Sequence, residues 1–195
     1  MHLLKNKKPN KIAIFGLVYD SGSQIFYDDS FYIWSINTAY RIFPRLDLLW
    51  DMHDWDSSEY EAYYSKELLE EKHPFAIVKP YAVNSVNTII KYPWQKISEE
   101  IPYYNACSIT YMLAYALVEY DLPIYVFGLN NVEMTTHPNM LQCFYYILGW
   151  ARAKHRPIYL ITERTLDDGL FNYGIGMKLK DADIESKFTE KYRIK

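Results

Sequence analysis

A chain of 195 residues is the size of one domain, and at that length roughly 70% of the unfolded surface can be buried without disulfide or metal staples. Its formal charge is −3 and its lysines and arginines are scattered among acids, so the basic stripe of a long-nucleic-acid binder is missing. No apolar stretch nears the ~20 residues of a membrane span, and Ile12 to Val18 is too short for a signal-peptide core; a cytoplasmic protein that binds neither membrane nor long nucleic acid is expected.

In chain order, Lys11 to Val18 (KIAIFGLV) is an apolar run closed by Asp20, Ser21, Gly22 and Ser23, the pattern of a buried strand. Ser30 to Asn37 (SFYIWSIN) repeats it, and Thr38 to Phe43 begins a short helix that Pro44 limits. Leu46 to His53 is a third strand, ending on polar groups. Ser57 to Lys72 has helical spacing, with Ser57 or Ser58 placed to cap it. Pro74 to Pro80 is a fourth strand, and Thr88 to Ile90 a fragment of another. Ile109, Met112, Leu113, Ala116 and Leu117 follow the i, i+3, i+4, i+7, i+8 rule of a helix, with Asn105 and Ser108 as candidate caps. Pro123 to Leu129 is a strand, Pro138 to Lys154 a long helix and Pro157 to Thr162 a last strand. Strands separated by helices in this rhythm require crossover connections, so the fold class is α/β, a Rossmann-like three-layer sandwich with a mostly parallel central sheet. A single domain is expected, with its core over about 11–168 and a peripheral segment at 169–195.

In open α/β sheets the ligand lies outside the carboxyl ends of the strands, near the point where strand order reverses. The strand-ending residues are therefore the candidate site: Gly16 to Tyr19, Ser35 and Asn37, Asp51 and His53, Pro80 to Asn84, Gly128 with Asn130 and Asn131, and Thr162 to Arg164. Their amides and histidine read donors and acceptors on a base or sugar, while Tyr19, Trp55 and Tyr81 offer rings for stacking. For Asn37, and for Asn105 and Ser108 at a helix amino terminus, the structural alternative is a plain cap. His53 follows Asp51 by two positions, so on a strand the two side chains share a face and form either a polarised pair or a structural one. His137, just before the long helix, is a second candidate base. The five histidines lack the paired spacing of a zinc helix and the acids lack a calcium-loop pattern, so neither metal nor cofactor is expected. Cys107 and Cys143, in segments that read as buried helices, are expected as reduced core thiols.

Twenty tyrosines exceed what a core of this size buries with every hydroxyl satisfied. Either some rings line a pocket or an interface, or codon usage in an AT-rich genome supplies them. With the aromatic helix face at Phe144, Tyr145, Ile147 and Leu148, the surplus points to a homo-oligomer.

The ordered set IFG (14 to 16), IWSINTAYR (33 to 41), DLLWDMHDW (47 to 55), YPW (92 to 94), ACSITYMLAYAL (106 to 117), IYVFGLNNVEM (124 to 134) and QCFYYILGWARAKHRPIYL (142 to 160) resembles a family of small phage-encoded Rossmann-like proteins. These in turn resemble the bacterial sialyltransferase and motility-associated glycosyltransferase folds, including the 6-hydroxymethylpterin diphosphokinase-like domain. The resemblance implies that Asn37, the segment Asn105 to Ser108, and Gly128 with Asn130 and Asn131 face a nucleotide. It also marks two departures: Leu17, Val18, Tyr19 and Asp20 replace a glycine- and asparagine-rich loop, and Asn130 replaces an acid. What the resemblance implies is a protein that binds a nucleotide-derived small molecule without turnover, a sponge for a host immune signalling nucleotide. A nucleotide-sugar-dependent transferase using His53 or His137 as base is the alternative, and an inhibitor that binds a host enzyme through an aromatic face a further one.

Overall fold

The computed structural model describes residues 9–16, 23–53, 66–102, 107–128 and 138–161. Seven strands, β1 (Lys11–Phe15), β2 (Phe31–Ile36), β3 (Leu48–Trp50), β4 (Ala76–Lys79), β5 (Ile89–Lys91), β6 (Ile124–Phe127) and β7 (Ile158–Ile161), form one sheet in the order β5-β4-β3-β2-β1-β6-β7. Every pairing is parallel. The fold is thus a Rossmann-like α/β sandwich.

A parallel sheet covered on both faces needs apolar side chains pointing both ways, which is why the strand sequences are continuous apolar runs. Ile12 and Ile14 of β1 pack with Trp34, Trp50, Val78 and Val126 into one core, while Ala13 and Phe15 join Ile33, Leu49, Ile77 and Phe127 in the other. The first core is closed by α2 (Trp94–Glu100), α3 (Ser108–Glu119) and α4 (Pro138–Ala153). The second is closed by the 3₁₀ turns Gln24–Tyr27 and Asn37–Arg41 and by the helical residues 66–70, here α1, through Ile25, Phe26, Ala39 and Leu68.

Several expectations are revised. The helix expected over Thr38 to Phe43 is a 3₁₀ turn beginning at Asn37. The helix α3, in contrast, agrees with its reading as a buried helix: it is buried from Ile109 to Leu117 with Tyr111 partly so, because α2 and α4 flank it while its inner face lies on the sheet. Phe144, Ile147 and Leu148 of α4, expected at a subunit interface, are buried in the first core with Tyr145 packed against it. Cys143 is buried in α4, but Cys107 stands at the amino end of α3, and neither forms a disulfide. The strand fragment falls at Ile89–Lys91, and α2 has no counterpart among the expected elements. Most of Ser57 to Lys72, and all of 162–195, lie outside the described residues. No helix among the described residues is long and apolar enough to cross a membrane.

Candidate functional site at the carboxyl edge

The chain walks outward from β1 to β5 and then returns to place β6 beside β1, so strand order reverses between β1 and β6. A crevice at the carboxyl ends of such strands is where ligands of open α/β sheets lie. Gly16 ends β1 and Gly128 ends β6. The Gly16 N–H donates to the Phe127 carbonyl at 2.8 Å, and a Cβ on Gly16 would stand 2.3 Å from the Gly128 carbonyl oxygen. Gly128 has φ +62°, the left-handed region that glycine enters without penalty. Here the glycines serve first to let two neighbouring backbones approach closely at the reversal, and the Gly16 amide is already occupied.

Along the edge, Ser35 is fully buried and its hydroxyl donates to the Phe15 carbonyl at 2.8 Å, tying β2 to β1. Asn37 is not a side-chain cap: the cap position of its 3₁₀ turn is Ile36, which makes no side-chain bond. Asn37 instead takes φ +49°, and its Oδ1 is buried with no hydrogen-bond partner among the described residues. Asparagine tolerates the left-handed region better than most residues, and such conformations collect at functional positions.

Of the five buried polar or charged residues among the described ones, Ser35, Asp51 and Lys79 stand at the ends of β2, β3 and β4. Lys79 and Asp51 are both fully buried, and Nζ donates to Asp51 Oδ2 at 2.9 Å. Nζ also donates to the His53 carbonyl at 2.9 Å and lies 5.3 Å from the centre of the Tyr81 ring. The Tyr81 hydroxyl makes a longer contact, 3.4 Å, to the same carbonyl. Asp51 Oδ1 accepts the His53 backbone N–H at 3.3 Å and faces His53 Nδ1 at 3.2 Å. A carboxylate only accepts, so Nδ1 carries a proton in this contact and a neutral imidazole has its lone pair on Nε2. The His53 side chain is 29% exposed, so the cluster runs from a desolvated ion pair to a partly open ring.

Ser108 begins α3 half-buried, but the cap is built by its neighbours. Thr110 Oγ1 accepts the Cys107 N–H at 3.3 Å and donates to the Cys107 carbonyl at 2.7 Å. Tyr19, Trp55, Asn105, Asn130, Asn131 and His137 lie outside the described residues. Gly16 and Gly128 therefore meet at the reversal, with Ser35, Asn37 and the Asp51–His53 pair further along the same edge. Two to three strand spacings separate the glycines from the β3 and β4 ends, roughly 10–14 Å. Lys79 escaped the sequence reading, although LLWD and AIVK carry their charges at matching places, with Trp50 and Val78 in register just before them. Among the described residues no three His, Cys, Asp or Glu side chains gather as a metal-binding group. No protein-family model, curated protein or solved structure matches the chain.

Proposed function

We propose that the carboxyl edge of this sheet binds a nucleotide-derived small molecule and releases it chemically unchanged, as a sponge for a signalling nucleotide in the host cytoplasm. The observation that carries the binding half is Asn37: a buried carboxamide oxygen without a partner among the described residues, on backbone held at φ +49°, beside the strand-order reversal. Leaving such an acceptor unpaired costs about 1–3 kcal/mol, a cost that an N–H donor on a ligand removes. The sequestering half rests on the resemblance to phage-encoded proteins and on Leu17 to Asp20, which stand where a phosphate-cradling loop would carry small residues. The test is to denature the purified protein, identify what is released by mass spectrometry, and titrate that compound back into the apo chain. Asn37→Gly keeps the left-handed backbone and removes the unpaired acceptor, so affinity falls by about 1–3 kcal/mol while the apo fold loses no stability. Release of nothing, and no binding of any nucleotide, would defeat the proposal.

One observation favours the transferase reading. His53 held against Asp51 with Nδ1 protonated has the arrangement of an oriented general base, which contributes ~10²–10⁴-fold where a proton must be removed. Prolonged incubation with a nucleotide sugar and an acceptor separates the two: recovered ligand supports binding, and product beyond stoichiometry, lost in His53→Ala, supports the enzyme.

A further inference from the structure

A fully buried lysine–aspartate pair contributes little that apolar side chains at the same strand ends would not, since replacing such pairs with packed hydrophobic residues is often neutral or stabilising. Among the described residues, both members of the pair also hold His53. Asp51 takes His53 by the backbone N–H and by Nδ1, and Lys79 takes it by the carbonyl. The pair therefore fixes both the backbone and the ring of a histidine that is partly open at the ligand edge.

A lone buried carboxylate beside an imidazole favours the imidazolium. Here the second oxygen of Asp51 is bound by the Lys79 ammonium, which offsets the carboxylate's pull on the ring. Tyr81 approaches from the segment after β4 through its hydroxyl. We propose that Lys79 is a positioning residue. By holding Asp51 and the His53 carbonyl, it keeps His53 uncharged with its proton on Nδ1, so this end of the site accepts a hydroxyl or N–H donor, such as a sugar hydroxyl, and not a phosphate. The ligand half of this statement rests on the nucleotide-binding reading; the half concerning the ring does not.

The test is ¹⁵N spectroscopy of the histidine rings in the whole chain, with His53 assigned by its loss in His53→Gln. The parent protein shows one neutral tautomer, Nδ1–H. Lys79→Met leaves Asp51 uncompensated and raises the proton affinity of His53 about tenfold or more. An Nε2–H tautomer or a mixture in the parent, or an unmoved titration in Lys79→Met, overturns the proposal. Should Lys79→Met fail to fold, the doubly apolar Asp51→Leu/Lys79→Met removes the pair without stranding a charge. It must lose the Nδ1–H preference, and its retention there is equally fatal. For the ligand half, adenosine, guanosine, cytidine and uridine are titrated singly against inorganic phosphate. Ring signals that move with a nucleoside and not with phosphate support it; movement with phosphate alone overturns it. Silence toward all of them, with the tautomer as stated, removes the nucleotide reading and the ligand half with it while leaving the positioning role of Lys79 established.

Discussion

Adding a single methyl group to two glycines of this chain should have opposite effects, and the structure supplies the magnitudes. In Gly16→Ala the new Cβ meets the Gly128 carbonyl oxygen at 2.3 Å, against a floor near 3.0 Å for real contacts, so backbone must retreat by about 0.7 Å. Overpacking of this kind costs ~1–3 kcal/mol. The retreat also stretches the 2.8 Å bond from the Gly16 N–H to the Phe127 carbonyl, worth about 1 kcal/mol. Against this, the stiffer unfolded chain returns ~0.4–1 kcal/mol. The expected net is a loss of about 2–3 kcal/mol. Gly149 lies exposed inside α4, and a Cβ there meets nothing within 4 Å. Gly149→Ala should therefore stabilise by about 0.5–1 kcal/mol through helix propensity alone. Urea unfolding followed by tryptophan fluorescence measures both, provided the slope with denaturant is unchanged. A Gly16→Ala protein within about 0.5 kcal/mol of the parent would refute the account of the close approach at the reversal.

Ser35→Ala removes the buried hydroxyl that donates to the Phe15 carbonyl, and should cost about 1 kcal/mol in the same unfolding assay. Lys79→Met should cost ~3–5 kcal/mol because it strands Asp51, whereas Asp51→Leu/Lys79→Met should recover most of that loss. Stability should also fall in alkali. Burial raises the phenols of Tyr32, Tyr115 and Tyr120, and burial with the hydrogen bond to Glu67 raises Tyr40 from 10.0 to about 12. A raised phenol stays protonated in the fold where the unfolded chain ionises, so its contribution is intact below pH 10 and is lost as pH rises through the folded value. Tyrosinate absorbance and melting temperature, recorded together through this range, check the sign. A melting temperature that rises as the phenols ionise contradicts it.

The strands were legible because a parallel sheet makes its own signal: PFAIVKP, PIYVFGL and PIYLIT are short apolar runs opened by proline, too brief for buried helices. Position along the edge was legible for the same reason, since the residue after each run is where the strand must stop. The helix α2 was not, because WQKISEE buries only Ile97 and its cap at Pro93 makes no side-chain bond, so neither periodicity nor cap announces it. Asn37 could be singled out by type but not by conformation, because its left-handed backbone follows from how β2 turns into the 3₁₀ turn. Lys79 reads in sequence as a polar exit from a strand. Its burial is created by β3 lying alongside, which brings a carboxylate to the ammonium.

The sheet order also bears on how the chain is made. Strands β1 to β5 can pair in turn as they emerge, each beside the last, but Ile12 must wait for Ile124 before its second edge is covered. Until β6 arrives, β1 offers an open row of donors and acceptors flanked by Ile14 and Phe15, the kind of edge that recruits another chain. Pairing so distant in sequence slows folding. Translation rate and chaperone supply during synthesis of the second half should therefore govern the yield of folded protein more than the stability it finally reaches.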